Sequence, residues 1–183
     1  MRLILVGPPG AGKGTQAVHL AKYFKIPHIS TGDIFRANLK NGTELGKQAQ
    51  TFMDRGELVP DSVTNEMVKD RLGNADVVDG FLLDGFPRNT NQAQVLEQIL
   101  VDKNMPLDAV LELKIDNAEI IKRLSDRKRD DDKEEIITRR LEIYAQETEP
   151  IISFYKSKGL LKTISAIGDV EVITKAAILT LGK

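Results

Sequence analysis

No cysteine occurs anywhere in the 183 residues, which excludes disulfides and any thiolate zinc site and is compatible with a reducing compartment. Neither sign of charge dominates. Lys plus Arg number 26 against 27 for Asp plus Glu, so the formal net charge of -1 gives no electrostatic footprint for a nucleic acid or an anionic membrane surface. Tryptophan is absent and aromatic residues make up 5%, too few for an array on which bases could stack. No apolar run approaches the ~20 residues of a membrane span. Met1 leads straight into a strand, so no signal peptide is expected. There is no internal repeat and no low-complexity tail; the charge run from Arg127 to Glu135 is short and mixed in sign. The length suits one domain with a sizeable core.

Against these absences stands a dense N-terminal signal. Arg2-Leu3-Ile4-Leu5-Val6 reads as a buried parallel strand, and Gly7-Pro8-Pro9-Gly10-Ala11-Gly12-Lys13-Gly14-Thr15 has the Gly-x-x-x-x-Gly-Lys spacing of a phosphate-binding loop. In such a loop successive backbone N–H groups point inward around an anion, and a side chain would block both the positive φ angles and the approach of phosphate. Lys13 adds a charge, and the helix that follows offers the positive end of its dipole. The general motif places Ser or Thr directly after the lysine. Here Gly14 intervenes, which puts direct magnesium ligation by Thr15 in question.

Downstream, short apolar runs alternate with amphipathic stretches: His28 to Ser30, Gly80 to Asp84, Ala109 to Ile115 and Leu160 to Ile164 read as strands, and helices are expected between them. This order predicts an α/β fold, a three-layer αβα sandwich around a five-stranded parallel sheet. The segment from about 30 to 59 reads as a helical insertion. Its second helix is expected over Thr43 to Arg55, and a further one starts at Pro60-Asp61. Asn117 is expected to cap a helix with Ile120, Ile121 and Leu124 on its apolar stripe. A later helix, reaching about Thr148 and interrupted by Glu149-Pro150, is expected to bury Ile137, Leu141 and Tyr144.

Asp84 closes one strand and Gly85-Phe86-Pro87-Arg88 follows it, at the sheet end where ligands of open α/β folds gather. Arg36, Arg88, Arg123, Arg127, Arg129 and Arg140 all fall at helix starts, strand ends or the charged turn, positions from which they could converge on Lys13. Guanidinium forks bind phosphate oxygens in pairs and stay ionised. Several such cations suit phosphoryl transfer between two phosphate groups, where positioning and charge neutralisation carry the catalysis and the attacking phosphate oxygen needs no base. No catalytic histidine is then required, and His19 and His28 read as surface or packing residues. Asp84 is the natural carboxylate to hold magnesium through water, with a structural hydrogen bond to the loop as its competing role.

Gly7-Pro-Pro-Gly-Ala-Gly-Lys-Gly-Thr-Gln16, Ser30-Thr-Gly-Asp-Ile-Phe-Arg36, Phe81-Leu-Leu-Asp-Gly-Phe-Pro-Arg88 and Arg139-Arg-Leu-Glu-Ile-Tyr144 together resemble adenylate kinases, over essentially the whole chain. The resemblance implies reversible transfer of the γ-phosphoryl group of Mg·ATP to AMP, giving two ADP, by one P-loop domain with a mobile AMP-binding insertion at about 30–59 and a mobile lid. It implies ATP contacts at Gly10, Ala11, Gly12, Lys13, Gly14 and Thr15, with Arg123 near the base, Arg127 on the phosphates and Gly168 in the loop approaching the base. The AMP site it implies comprises Thr31, Arg36, Glu57, Leu58, Val59, Gly85, Phe86, Pro87, Arg88 and Gln92. Arg129 and Arg140 would clamp the phosphates in transfer, and Asp131 and Asp132 match the acidic pair at the lid hinge. The lid itself is short, about 127–133, and carries no zinc ligands of the cysteine type. ATP and Mg²⁺ are the implied cofactors and AMP and ADP the small-molecule partners; from the composition and the lack of a self-complementary apolar seam, a cytoplasmic monomer without nucleic-acid or membrane partners is expected.

Two other readings remain open on the sequence. A UMP/CMP kinase of the same superfamily would share the short lid and Asn89, whereas Thr31 and Gln92 match the adenylate pattern; a Gln amide offers both a donor and an acceptor to adenine. A non-catalytic nucleotide switch would keep the loop but leave the arginines beyond Lys13 without a task.

Overall fold

The computed structural model describes residues 1–126 and 134–182. Strand β1 (Arg2–Val6) runs into the glycine loop and helix α1 (Lys13–Phe24), followed by β2 (His28–Ser30), α2 (Thr31–Lys40), α3 (Glu44–Met53), α4 (Asp61–Arg71), β3 (Phe81–Asp84) and α5 (Thr90–Asp102). The second half comprises β4 (Ala109–Lys114), α6 (Asn117–Asp126), α7 (Glu134–Ile143), a π-helical turn (Tyr144–Thr148), α8 (Pro150–Ser157), β5 (Leu161–Ser165) and α9 (Val170–Thr180). The five strands form one all-parallel sheet in the order β2-β3-β1-β4-β5.

Both faces of this sheet are covered, as continuous apolar strands require. Leu3 and Leu5 of β1 point to one face, where they pack with Leu20, Leu82, Leu111, Leu113 and Ile173; Ile4 and Val6 point to the other, against Phe81, Leu83, Phe86, Leu96 and Ile151. The three-layer α/β architecture expected from the element order is therefore present. Phe35 of α2, Ala49 of α3 and Val59 from the segment before α4 form a third, small core. Gly46 makes the close approach of α2 and α3 possible, since a Cβ there would overlap the backbone of Asn38.

Several helix ends differ from expectation. Helix α2 begins at Thr31, directly after β2, with Ser30 as its cap, the hydroxyl accepting from the Asp33 N–H. Asn117 lies inside α6 rather than capping it, because Asp116 accepts the Glu119 N–H at 2.8 Å. Ile121 is exposed, and the buried pair on α6 is Ile120 and Leu124. On α7 the fully buried residue is Ile143, with Ile137 and Leu141 only half-buried. Pro150 does not end helical structure but opens α8, at a first-turn position where its missing N–H costs no hydrogen bond.

Candidate active site

The carboxyl ends of β1, β2 and β3 and the N-terminus of α1 enclose a cleft of about 690 Å³. Gly10 and Gly12 sit at positive φ, both 86°, which bends the loop around its own centre. At Gly10 a side chain would also press on Ile120 and Leu124 of α6. Among the described residues no side chain caps α1, and its first turn holds no acidic residue, so its positive end favours an anion. Lys13 Nζ donates to the carbonyls of Gly7 (2.6 Å) and Pro8 (3.0 Å), which holds the charge over the loop.

Of the residues expected on the ATP side, Gly10, Gly12, Lys13, Gly14, Thr15 and Arg123 line this cleft. Ala11 does not: its side chain is buried against the sheet, and its N–H donates to the Pro8 carbonyl within the loop. Gly168 lies outside the cleft walls, at φ 114° with open space around it. Arg123 is positioned by Glu119 one helical turn away (2.8 Å) and by the Ala166 carbonyl (2.8 Å), which ties α6 to the segment after β5. Arg127, Arg129, Asp131 and Asp132 lie outside the described residues.

On the opposite side Thr31, Arg36, Glu57, Leu58, Val59, Gly85, Pro87, Arg88, Gln92 and Arg140 line the same cleft. Phe86 departs from expectation. Its ring is fully buried in the sheet core, so only its backbone could meet a ligand. The Thr31 hydroxyl donates to the Gly85 carbonyl at 2.9 Å, fixing the start of α2 against the turn after β3. Arg36 pairs with Asp33, and Arg88 Nε donates to the Gly85 carbonyl at 2.8 Å. The Arg88 backbone is held twice, its N–H by Gln92 Oε1 (2.8 Å) and its carbonyl by the Thr148 hydroxyl (2.7 Å). Loss of bulk water in the cleft, with repulsion from Arg140 and Arg36, lowers the Arg88 pKa, and Asp84 opposes that shift.

Asp84 is buried at the end of β3, and an added Cβ on Gly14 would stand 3.7 Å from its Oδ2, so the carboxylate faces the phosphate loop. His28 Nε2 lies 3.6 Å from the same oxygen, just beyond hydrogen-bond reach. His28 is thus part of the cleft wall rather than a remote packing residue; nothing in its local sequence, a short strand after Pro27, signals that partner. Burial alone would raise the Asp84 pKa, but His28, Lys13 and Arg88 outweigh it and the net shift is downward from 3.8. A carboxyl with a folded pKa below its unfolded value stabilises the protein above the unfolded value and ceases to do so as the pH falls through the folded one. Asp84→Asn is therefore expected to be less stable than the parent at pH 6, by on the order of 1–3 kcal/mol. The gap should narrow as the pH falls below about 4, which urea unfolding midpoints across that range would reveal.

Asp61 is a further residue that the sequence did not single out for the site. It stands at the first position of α4, and its carboxylate accepts from Asn89 Nδ2 (3.0 Å), Asn91 Nδ2 (3.0 Å) and Gln92 Nε2 (2.7 Å). Burial works against its ionisation, the three amides work for it, and the balance lowers its pKa.

Among the described residues, five cations (Lys13, Arg36, Arg88, Arg123 and Arg140) and three carboxylates (Asp33, Glu57 and Asp84) line one cleft that begins at a phosphate loop. Such a wall favours a polyanionic ligand. Among the described residues no cluster of His, Asp or Glu forms a metal cage. A single carboxylate beside a phosphate loop does fit Mg²⁺, which keeps several waters and takes phosphate oxygens as ligands.

A family model described as "Adenylate kinase" matches residues 5–160. The chain is 56% identical over 185 residues to an adenylate kinase of Thermobifida fusca, with 99% of this chain and 98% of that protein covered. It is 52% identical to one from Corynebacterium urealyticum and 50% identical to one from Rhodococcus erythropolis, each over 183 residues and the full length of both chains. With a parallel five-stranded sheet, a phosphate loop at its centre and a cationic cleft above it, the chain belongs to the adenylate kinase family.

Proposed function

We propose that this protein transfers the γ-phosphoryl group of ATP to AMP, reversibly, by holding two nucleotides end to end in the cleft. The observation that carries the reading is the convergence of Arg36, Arg88, Arg123 and Arg140 on the cleft that Lys13 and the glycine loop open. Two polyphosphates placed in line repel each other, and each guanidinium that bridges them lowers that repulsion most where charge accumulates, in the transition state. An AMP phosphate oxygen attacks the γ-phosphorus as the bond to the β,γ-bridging oxygen breaks, so that two ADP leave. No proton has to be removed from the nucleophile, and His28 has no step to perform.

In this reading the N–H groups at the start of α1 and Lys13 hold the ATP phosphates, Arg123 lies on the ATP side, and Arg36 and Arg88 hold the AMP phosphate. Arg140, with Arg127 and Arg129 by sequence position, closes over the transferring group. Mg²⁺, held by ATP phosphates and by water on Asp84, would supply further neutralisation of the phosphate oxygens. Val59 and its neighbours face the adenosine of AMP, and Gln92 faces its base. The segment at about 30–59 and the short lid at about 127–133 act as moving covers that exclude water. The setting is taken as a cytoplasmic monomer that needs no zinc, in line with a balanced, cysteine-free composition.

A UMP/CMP kinase would use the same cations, so the base decides. Relatives that share about half of all residues over the full chain are named adenylate kinases, which favours AMP. Turnover with AMP, CMP and UMP at equal concentration, with ATP and magnesium fixed, is expected to favour AMP by at least about tenfold in kcat/KM. Faster turnover of CMP or UMP would reverse the assignment, and no ADP from any of them would leave a nucleotide-binding switch.

A further inference from the structure

We propose that Asp61 is a positioning residue that locks the side-chain amide of Gln92 in one of its two orientations and thereby makes the enzyme discriminate 6-aminopurine from 6-oxopurine monophosphates. The inference rests on the reading in which Gln92 meets the base of the acceptor nucleotide.

The amide orientation follows from its neighbours. The Arg88 N–H is a donor, so the atom 2.8 Å from it must be the Gln92 oxygen; the ionised Asp61 carboxylate is an acceptor, so the atom 2.7 Å from Oδ1 must be the Gln92 nitrogen. Turning the amide over would set two acceptors against each other at Asp61 and two donors at Arg88. Gln92 is 1% exposed, so water cannot relieve either clash. Asp61 is in turn fixed by Asn89 and Asn91, and the side-chain Oδ1 of Asn89 accepts the backbone N–H of Gln92 at 2.8 Å.

After these contacts Gln92 retains one lone pair on Oε1 and one hydrogen on Nε2 for a ligand. Adenine offers the matching order, an exocyclic amino donor beside the N1 acceptor. Hypoxanthine reverses it, with a carbonyl acceptor beside an N1–H donor. A freely rotating glutamine would serve both; one held by Asp61 pairs with the first and meets the second with like facing like. The carboxylate sits at the start of α4, two residues after Val59 of the cleft wall, so the lock also joins the end of the insertion to the base-facing residue.

The test compares AMP and IMP as acceptors, at saturating Mg·ATP, for the parent, Asp61→Asn and Asn91→Ala. Asp61→Asn can accommodate either face of the Gln92 amide and leaves only the Arg88 N–H to oppose the turned one, so KM for AMP should rise and the AMP-to-IMP ratio of kcat/KM should fall by about three- to tenfold, while kcat and KM for ATP stay within about twofold. Asn91→Ala keeps the contact between Asp61 and Gln92 and should retain the parent ratio. Should Asp61→Asn not purify as a folded protein, Asp61→Ser carries the same expected loss of discrimination. An unchanged ratio in either neutral variant, or an equal fall in Asn91→Ala, overturns the proposal. If the parent itself does not prefer AMP to IMP, the placement of Gln92 on the base fails and takes the role of Asp61 with it.

Discussion

Arg88→Ala is expected to slow ADP formation from ATP and AMP by about a thousandfold, the scale of an arginine that stabilises transferring phosphate. The side chain spends one N–H on the Gly85 carbonyl at 2.8 Å, which leaves the remaining donors of the fork to meet phosphate oxygens. Its backbone is fixed from both sides by Gln92 and Thr148, so the guanidinium reaches the cleft with little conformational freedom to lose. Because Arg88 is placed on the AMP side, calorimetric titration with ATP should return nearly the parent affinity. Arg88→Lys should recover little of the lost rate, since an ammonium group does not reproduce two parallel hydrogen bonds to phosphate. A rate within tenfold of the parent in Arg88→Ala would remove this residue from the mechanism.

Lys13→Met should reduce the same rate by a similar or larger factor, about a thousandfold, and should in addition weaken ATP binding. Two losses coincide in this variant: the charge over the phosphates, and the hydrogen bonds that hold the loop carbonyls of Gly7 and Pro8. Steady-state kinetics with ATP varied would separate it from Arg88→Ala, where the AMP dependence carries the effect. Combining both changes should cost far less than the product of the single losses, because both groups act on the same transferring phosphate. Full multiplicativity would mean that they act at independent sites.

What could be read from the sequence was set by local physics. The phosphate loop is legible because glycine spacing, a preceding apolar strand and a following amphipathic helix all lie within a few turns of each other. The parallel sheet is legible for the same reason: strands buried on both faces have no polar alternation, and the helices between them do. Long-range partnerships left no such trace. The contact of His28 with Asp84, the hold of Asp61 on Gln92 and that of Thr148 on Arg88 join residues 31 to 60 positions apart, and each partner alone is an ordinary polar residue. Phe86 misled for the opposite reason. It sits within a run of site residues, but the turn after β3 points its ring into the core while its neighbours Gly85, Pro87 and Arg88 line the cleft. Pro150 reads as an interruption because proline is costly inside a helix, yet at the first turn of α8 it begins one.

The π-helical turn at Tyr144–Thr148 gives the segment behind α7 a phase it would not otherwise have. An i to i+5 register accommodates one residue more than an α-turn, and a residue in a helix corresponds to about 100° of rotation. Holding Tyr144–Thr148 in an α-helical register without removing a residue would turn everything beyond it by about 100°, swinging Thr148 away from the Arg88 carbonyl and Ile151 and Tyr155 out of the core they now fill. The wide turn is thus a phase adjuster that lets one stretch of chain satisfy both a buried surface and a polar anchor.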